Sequence, residues 1–192
     1  MGKHNNWISF LTLINHELIR ILRIWPQTIL PPVITTVLYY IIFGSVIGPR
    51  IGDMNGYSYI QFIMPGLVMM NVIDVAYINV DASFFTSKFF RSIEEMLITP
   101  MSDNAIICGF VAGGMIRAIF VGLLVAFMSL FFTKITVFNW PLTILIVILT
   151  AIFLSLVGFV AGVFAKKFDD LSIVPLFVLT PLSYFGGVFY SI

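Results

Sequence analysis

The chain has 192 residues, 60% hydrophobic and 10% charged, with a formal net charge of +1. Soluble domains carry about 45–50% apolar and about 25% charged residues, so an ordinary soluble fold, a disordered chain and a nucleic-acid binder with a basic face are excluded. A single cysteine excludes a disulfide scaffold and a zinc site of paired cysteines, which leaves an integral membrane protein.

The first predicted element is an amphipathic helix within residues 1–27. Asn5, Ser9, Thr12, His16, Arg20, Arg23 and Gln27 recur every three or four positions, which draws one polar stripe along a helix. Most of the other positions, among them Trp7, Phe10, Leu18 and Trp25, are apolar. Such a helix lies flat in the cytoplasmic interface with its tryptophans at headgroup depth. It is either a plain anchor or a platform beside which a cytoplasmic partner docks. Pro26 turns the chain into the membrane. A signal peptide is not expected, because the apolar run starts late and no A-x-A-like site follows a short core. Asn6 also breaks the myristoylation pattern.

Residues 24–49, 54–73, 135–165 and 171–192 carry no charge, and 104–133 carries only Arg117. Backbone in lipid must bond to itself, so these long runs predict helices, where a β-barrel would show short alternating segments. Spans are predicted near 28–48, 58–80, 105–130, 142–165 and 173–191. Pro65-Gly66, Pro175 and Pro181 weaken the second and fifth, and Gly186-Gly187 is a candidate break or re-entrant turn. Gly109–Gly113 and Gly158–Gly162 are both G-x-x-x-G, a spacing that lets helices approach closely in lipid.

Between the second and third spans, residues 84–99 predict a short cytoplasmic helix. Phe85, Phe89, Ile93 and Met96 recur at helical spacing, with Lys88, Arg91, Glu94 and Glu95 on the other side. Thr99-Pro100 stops it. Two charges fall inside spans: Asp74 in the second and Arg117 in the third. An intramembrane charge costs at least about 2.5–3.5 kcal/mol, so both should face protein or water. An Asp74–Arg117 contact is expected, with Asp81 as rival partner. It reads as a structural staple or as part of a substrate path.

Lys and Arg set the orientation. Lys3, Arg20, Arg23, Lys88, Arg91, Lys166 and Lys167 fall on one side, against Arg50 and Lys134 on the other. The N-terminus is therefore expected in the cytoplasm. No G-x-x-x-x-G-K-[ST] loop, no metal-ligand cluster and no G-x-S-x-G elbow occurs in the sequence. These absences argue against an enzyme.

Residues 89–102, Phe-Phe-Arg-Ser-Ile-Glu-Glu-Met-Leu-Ile-Thr-Pro-Met-Ser, followed by Gly109, resemble the signature loop of type-2 ABC exporter permeases. Asp169-Asp170 and the run Pro181 to Ser191 are similar to the same family. So is the order of elements: interfacial helix, two spans, cytoplasmic helix, three spans. The resemblance covers essentially the whole chain, read as one transmembrane domain, 1–192, of all-α integral membrane class. It implies a permease subunit in a bacterial inner membrane, multi-pass and embedded in membrane lipids, that pairs with a second copy of itself. It also implies a separate cytoplasmic ABC ATPase that holds the ATP and magnesium, so this chain needs no cofactor. The helix at 84–100 is then the coupling helix, with Lys88, Arg91, Glu94 and Glu95 as ATPase contacts, and Arg20 and Arg23 flank the docking site. Such families export lipids, polysaccharides or drugs. The family pattern continues past Gly186-Gly187 through a re-entrant hairpin and a sixth span. The sequence stops at Ile192, which implies a truncated or partly observed subunit, or a differently built outer gate. Two other classes compete: an ion-coupled secondary transporter using Asp74, and a membrane scaffold without transport.

Overall fold

The computed structural model describes residues 3–54, 56–98, 101–133 and 137–189. Helix α1 (Lys3–Arg23) ends at a bend on Ile24, whose φ of −110° and ψ of 21° leave helical geometry. Trp25 and Pro26 then open α2 (Trp25–Tyr39); proline suits the first turn, where no helical bond needs its amide. Helix α2 widens into a π-helical stretch, Tyr40–Ile47, and finishes in one turn, α3 (Gly48–Ile51). A two-residue antiparallel ladder, β1 (Asp53–Met54) against β2 (Tyr57–Ser58), reverses the chain.

Helix α4 (Tyr59–Phe89) starts where the Ser58 amide donates to Gln61 Oε1 at 3.3 Å. Its 31 residues extend about 46 Å at 1.5 Å per residue, well beyond about 30 Å of hydrocarbon. One end of this rod therefore projects out of the membrane. Helices α5 (Ser92–Ile98), α6 (Asp103–Ser129) and α7 (Trp140–Phe164) follow. Asn139 caps α7 by accepting from the Leu142 amide at 3.2 Å. A 3-10 turn (Phe168–Ser172), a π-helical turn (Pro175–Leu179) and α8 (Thr180–Phe185) close the order. Among the described residues five segments are long and apolar enough to cross a membrane: Trp25–Arg50, Tyr59–Phe89, Asp103–Ser129, Trp140–Phe164 and Phe168–Phe185.

The element expected at 84–99 is divided. Its first residues complete α4, because Phe85 and Phe89 pack on Phe168, each with ring centroids 4.9 Å away. Arg91, at φ 59°, makes the corner, and α5 begins one residue later. The expected stop at Thr99-Pro100 lies outside the described residues.

Helix α4 is the central rod and packs against both α6 and α7, which also touch each other. Val72, Val75 and Ala76 of α4 interlock with Ala118, Val121 and Val125 of α6 and Ala151 of α7. In lipid, helices associate through close packing of small residues. The two G-x-x-x-G motifs use that rule against different partners. Gly158 and Gly162 of α7 lie on the backbone of α4: a Cβ there would meet Tyr77 O at 2.5 Å and Asp81 O at 3.1 Å. Gly109 and Gly113 of α6 instead receive α1, through Leu13 and Glu17. At the far end the chain turns at Gly187, φ 77°, and the residues after it tuck back. The Tyr59 hydroxyl donates to Phe189 O at 3.1 Å, and the Tyr39 and Tyr184 hydroxyls meet at 2.9 Å. The turn expected at Gly186-Gly187 is thus present; Tyr190 and Ser191 lie outside the described residues.

Candidate functional site

Helices α2 and α4 do not close against each other along their length. Between them lies a cavity of about 400 Å³, completed by Arg117 from α6. Gln27, Thr28, Thr35 and Tyr39 contribute polar groups from α2, and Asn71, Asp74 and Asn79 from α4. Pro31 and Pro32 also line it. For lack of an amide four residues on, two backbone acceptors, the Gln27 and Thr28 carbonyls, lose their usual intrahelical donor. Leu67, Met70, Val75 and Ile78 make the apolar remainder.

At the inner edge of this cavity a polar cluster ties α1 to the bundle. Glu17 is almost fully buried, at 1% exposure. Its Oε1 accepts from the Ser83 hydroxyl at 2.7 Å and its Oε2 from Arg20 Nη2 at 2.9 Å. The same Arg20 nitrogen donates to Asn79 Oδ1 at 3.0 Å, and Arg117 Nη1 donates to that oxygen from the opposite side. One amide oxygen thus serves two guanidiniums while the carboxylate bonds Arg20, and the cluster of Glu17, Arg20 and Arg117 carries one positive charge in excess.

This arrangement changes several expectations. Arg117 is bonded to Asn79, and no ion pair joins it to Asp74 or Asp81 among the described residues. Asp74 lines the same cavity, but the arginine is held by Asn79, five residues further along α4, and Asp81 is turned to α7, buried beside Gly162. Arg20 leaves the outer polar stripe and bends inward, where the Glu17 carboxylate and the Asn79 oxygen accept from it. Thr12, His16, Arg23 and Gln27 remain on the exposed side of their helices. Glu17, Asn79 and Ser83 were not anticipated as a group. Glu17 did leave a trace in the sequence: it is the only acidic residue before Asp53, set between Leu13 and Ile21 on the apolar face of the first helix.

The third feature is α5. None of its residues is buried, and Glu94 and Glu95 are exposed. Arg91 is exposed too, and its backbone forms the corner with α4. Lys88 stands apart from these three. Its ammonium donates to Val163 O at 2.6 Å and Ala165 O at 2.9 Å, which caps the last turn of α7. Two turns of the bundle meet there, since Asp170 Oδ2 accepts from the Lys166 and Lys167 amides at 2.8 and 3.0 Å. The ends of α4 and α7, helix α5 and the start of α6 therefore share one end of the molecule.

Comparison with known proteins agrees with this layout. The sequence profile described as ABC-2 type transporter matches residues 8–192. The chain is 55% identical over 189 residues to the inner membrane transport permease YadH of Escherichia coli (strain K12), covering 98% of this chain and 74% of that protein. The protein of the same name in Shigella flexneri shows the same identity and coverage. Nodulation protein J of Neorhizobium galegae is 21% identical over 174 residues, 88% of this chain and 65% of that protein. No solved structure matches the chain.

Proposed function

The chain belongs to the ABC-2 type transporter family, and from that premise we propose that it is the permease subunit of an ATP-driven exporter in a bacterial inner membrane. Two copies form the pathway, and hydrolysis takes place on a separate cytoplasmic ATPase that holds ATP and magnesium. The name of the Escherichia coli relative, an inner membrane transport permease, supports the location. The excess of Lys and Arg on the end that carries α5 supports a cytoplasmic N-terminus.

The observation that carries this reading is the pairing of α5 with α4. A helix with no buried residue presents Glu94 and Glu95 outward, joined through the Phe90–Arg91 corner to a rod of 31 residues. The same rod carries Asp74 and Asn79 on the cavity wall. Force on α5 thus reaches the cavity through one continuous helix. Glu94, Glu95 and Arg91 contact the ATPase in this reading, Arg23 flanks the contact, and Lys88 and Arg20 hold the supporting helices. A substrate that is lipid-like, a polysaccharide or a drug fits a cavity with both polar and apolar walls.

The test is the double variant Glu94→Ala/Glu95→Ala, reconstituted with its ATPase in vesicles. Transport is expected to fall while membrane insertion and basal hydrolysis persist; transport that keeps its full coupling overturns the assignment. A second reading rests on Asp74, a carboxylate at a membrane cavity without an ion-pair partner among the described residues. It makes the chain an ion-coupled transporter, and it requires uptake or efflux driven by a pH gradient without any ATPase and abolished by Asp74→Asn.

A further inference from the structure

We propose that the cavity between α2 and α4 binds a zwitterionic amphiphile, with its cationic group at Asp74 and its anionic group at Arg117. The proposal rests on the permease reading only in treating this cavity as part of the substrate's route.

Two opposite charges line one cavity of about 400 Å³, and no ion pair joins them. Asp74 and Asn79, the residue that holds Arg117, are five positions apart on α4, about 7.5 Å along the axis. Charges in a low-dielectric wall attract strongly, so they either collapse onto each other or align a dipole between them. Arg117 cannot collapse onto Asp74 without leaving Asn79. A headgroup with both signs neutralises both walls at once. A singly charged headgroup satisfies one wall and is repelled by the other, which is the repulsive element that selectivity needs.

The two ends of the cavity also differ in chemistry. The Asp74 carboxylate on its wall accepts hydrogen bonds and cannot donate them, which suits the N–H groups of an ammonium. The Arg117 side is donor-rich. Glu17 bonds Arg20 and leaves Arg117 on a neutral amide oxygen, and Arg20 Nε, Asn79 Nδ2 and Arg117 Nε are buried without a hydrogen-bond partner among the described residues. A phosphate or carboxylate belongs there. The mouth is bordered by exposed Gln27, Pro31, Thr35 and Ile78, beside the outward apolar row Leu30, Ile34 and Leu38. Acyl chains can therefore remain in lipid while the headgroup enters.

Binding of short-chain amphiphiles to the purified full-length protein in maltoside micelles, by calorimetry, tests the proposal. Dioctanoyl phosphatidylethanolamine and a dodecyl carboxybetaine are the zwitterionic probes. Dioctanoyl phosphatidylglycerol and dodecyltrimethylammonium carry a single sign. At least one zwitterion is expected to bind about tenfold more tightly than either singly charged probe, a gap of about 1.4 kcal/mol. Preference for the phospholipid over the betaine identifies a membrane lipid; equal binding identifies the charge pattern alone. Asp74→Asn is expected to lose that advantage and to bind phosphatidylglycerol more tightly than the wild type does, since the repelling charge is gone, and Asp74→Glu to retain the wild-type ranking. Equal wild-type affinities for all four probes, or an Asp74→Asn protein that still prefers the zwitterion, overturn the proposal. Should Asp74→Asn fail to fold, the wild-type ranking still decides. ATP-driven transport that survives without zwitterion binding removes this site and leaves the permease assignment standing.

Discussion

Removal of the Glu17 carboxylate is the sharpest perturbation the structure offers. Glu17 is 1% exposed and bonded to Ser83 and Arg20. Arg117 also lies within the electrostatic reach of this carboxylate. Breaking a buried ion pair by deleting one partner costs about 3–5 kcal/mol, because the other charge stays behind uncompensated. The Arg20 side chain is 25% exposed, so water recovers part of that loss. The Ser83 hydroxyl loses its acceptor, which adds about 1 kcal/mol. A net loss of about 3 kcal/mol is expected for Glu17→Ala. For a chain of this length that lowers Tm by roughly 6–12 °C, read by intrinsic fluorescence during a thermal ramp in detergent. Glu17→Gln keeps an oxygen for Ser83 and should fall between. The control is Glu94→Ala, an exposed glutamate on α5, expected within about 0.5 kcal/mol of wild type. A Glu17→Ala protein that melts with the wild type would refute the claim that this carboxylate seats α1 on the bundle.

Glycine substitutions separate rigid from yielding contacts. Gly158→Ala sets a methyl 2.5 Å from the Tyr77 carbonyl of α4, and backbone cannot step aside, so a loss of about 1–3 kcal/mol is expected. Gly44→Ala meets chiefly the Cδ1 end of the half-buried Ile60 side chain, which can rotate, and should cost less; thermal ramps giving the reverse order contradict the packing described. Arg91 holds φ at 59°, a left-handed conformation that costs a side-chain-bearing residue about 1–2 kcal/mol, so Arg91→Gly should raise Tm and Arg91→Val lower it. A drop in Tm for the glycine variant rules out the corner. Lys88→Met removes the cap on Val163 O and Ala165 O, worth about 1 kcal/mol at an exposed site. Faster amide exchange over the last turn of α7 is the expected sign, and unchanged exchange there excludes the cap.

Much of the architecture was legible because a membrane imposes one-dimensional rules. Uncharged runs of twenty or more residues can only be helices in lipid, and the predicted spans overlap the five apolar helices of the structure. The corner near Arg91 and the split of the 84–99 element were not legible. Phe85 and Phe89 have the period of any amphipathic helix, and only Phe168, some eighty positions away, assigns them to α4. The polar stripe of the first helix misled for a similar reason. Periodicity records which face is polar, not what stands opposite it. Arg20 belongs to that stripe by spacing and to the bundle by its bonds to Glu17 and Asn79.

The amino-acid order by itself determined that the chain is helical and which runs are long and apolar enough to cross a bilayer, since each follows from local composition and the cost of unpaired backbone in lipid. Only the tertiary structure decided which charges meet. Asp74 and Arg117 are opposite in sign and similar in predicted depth, yet both line one cavity without pairing, and Asn79 takes the arginine. Ion pairing depends on the rotation of each helix about its axis, and packing of small residues such as Gly109, Gly113, Gly158 and Gly162 against their neighbours sets that rotation.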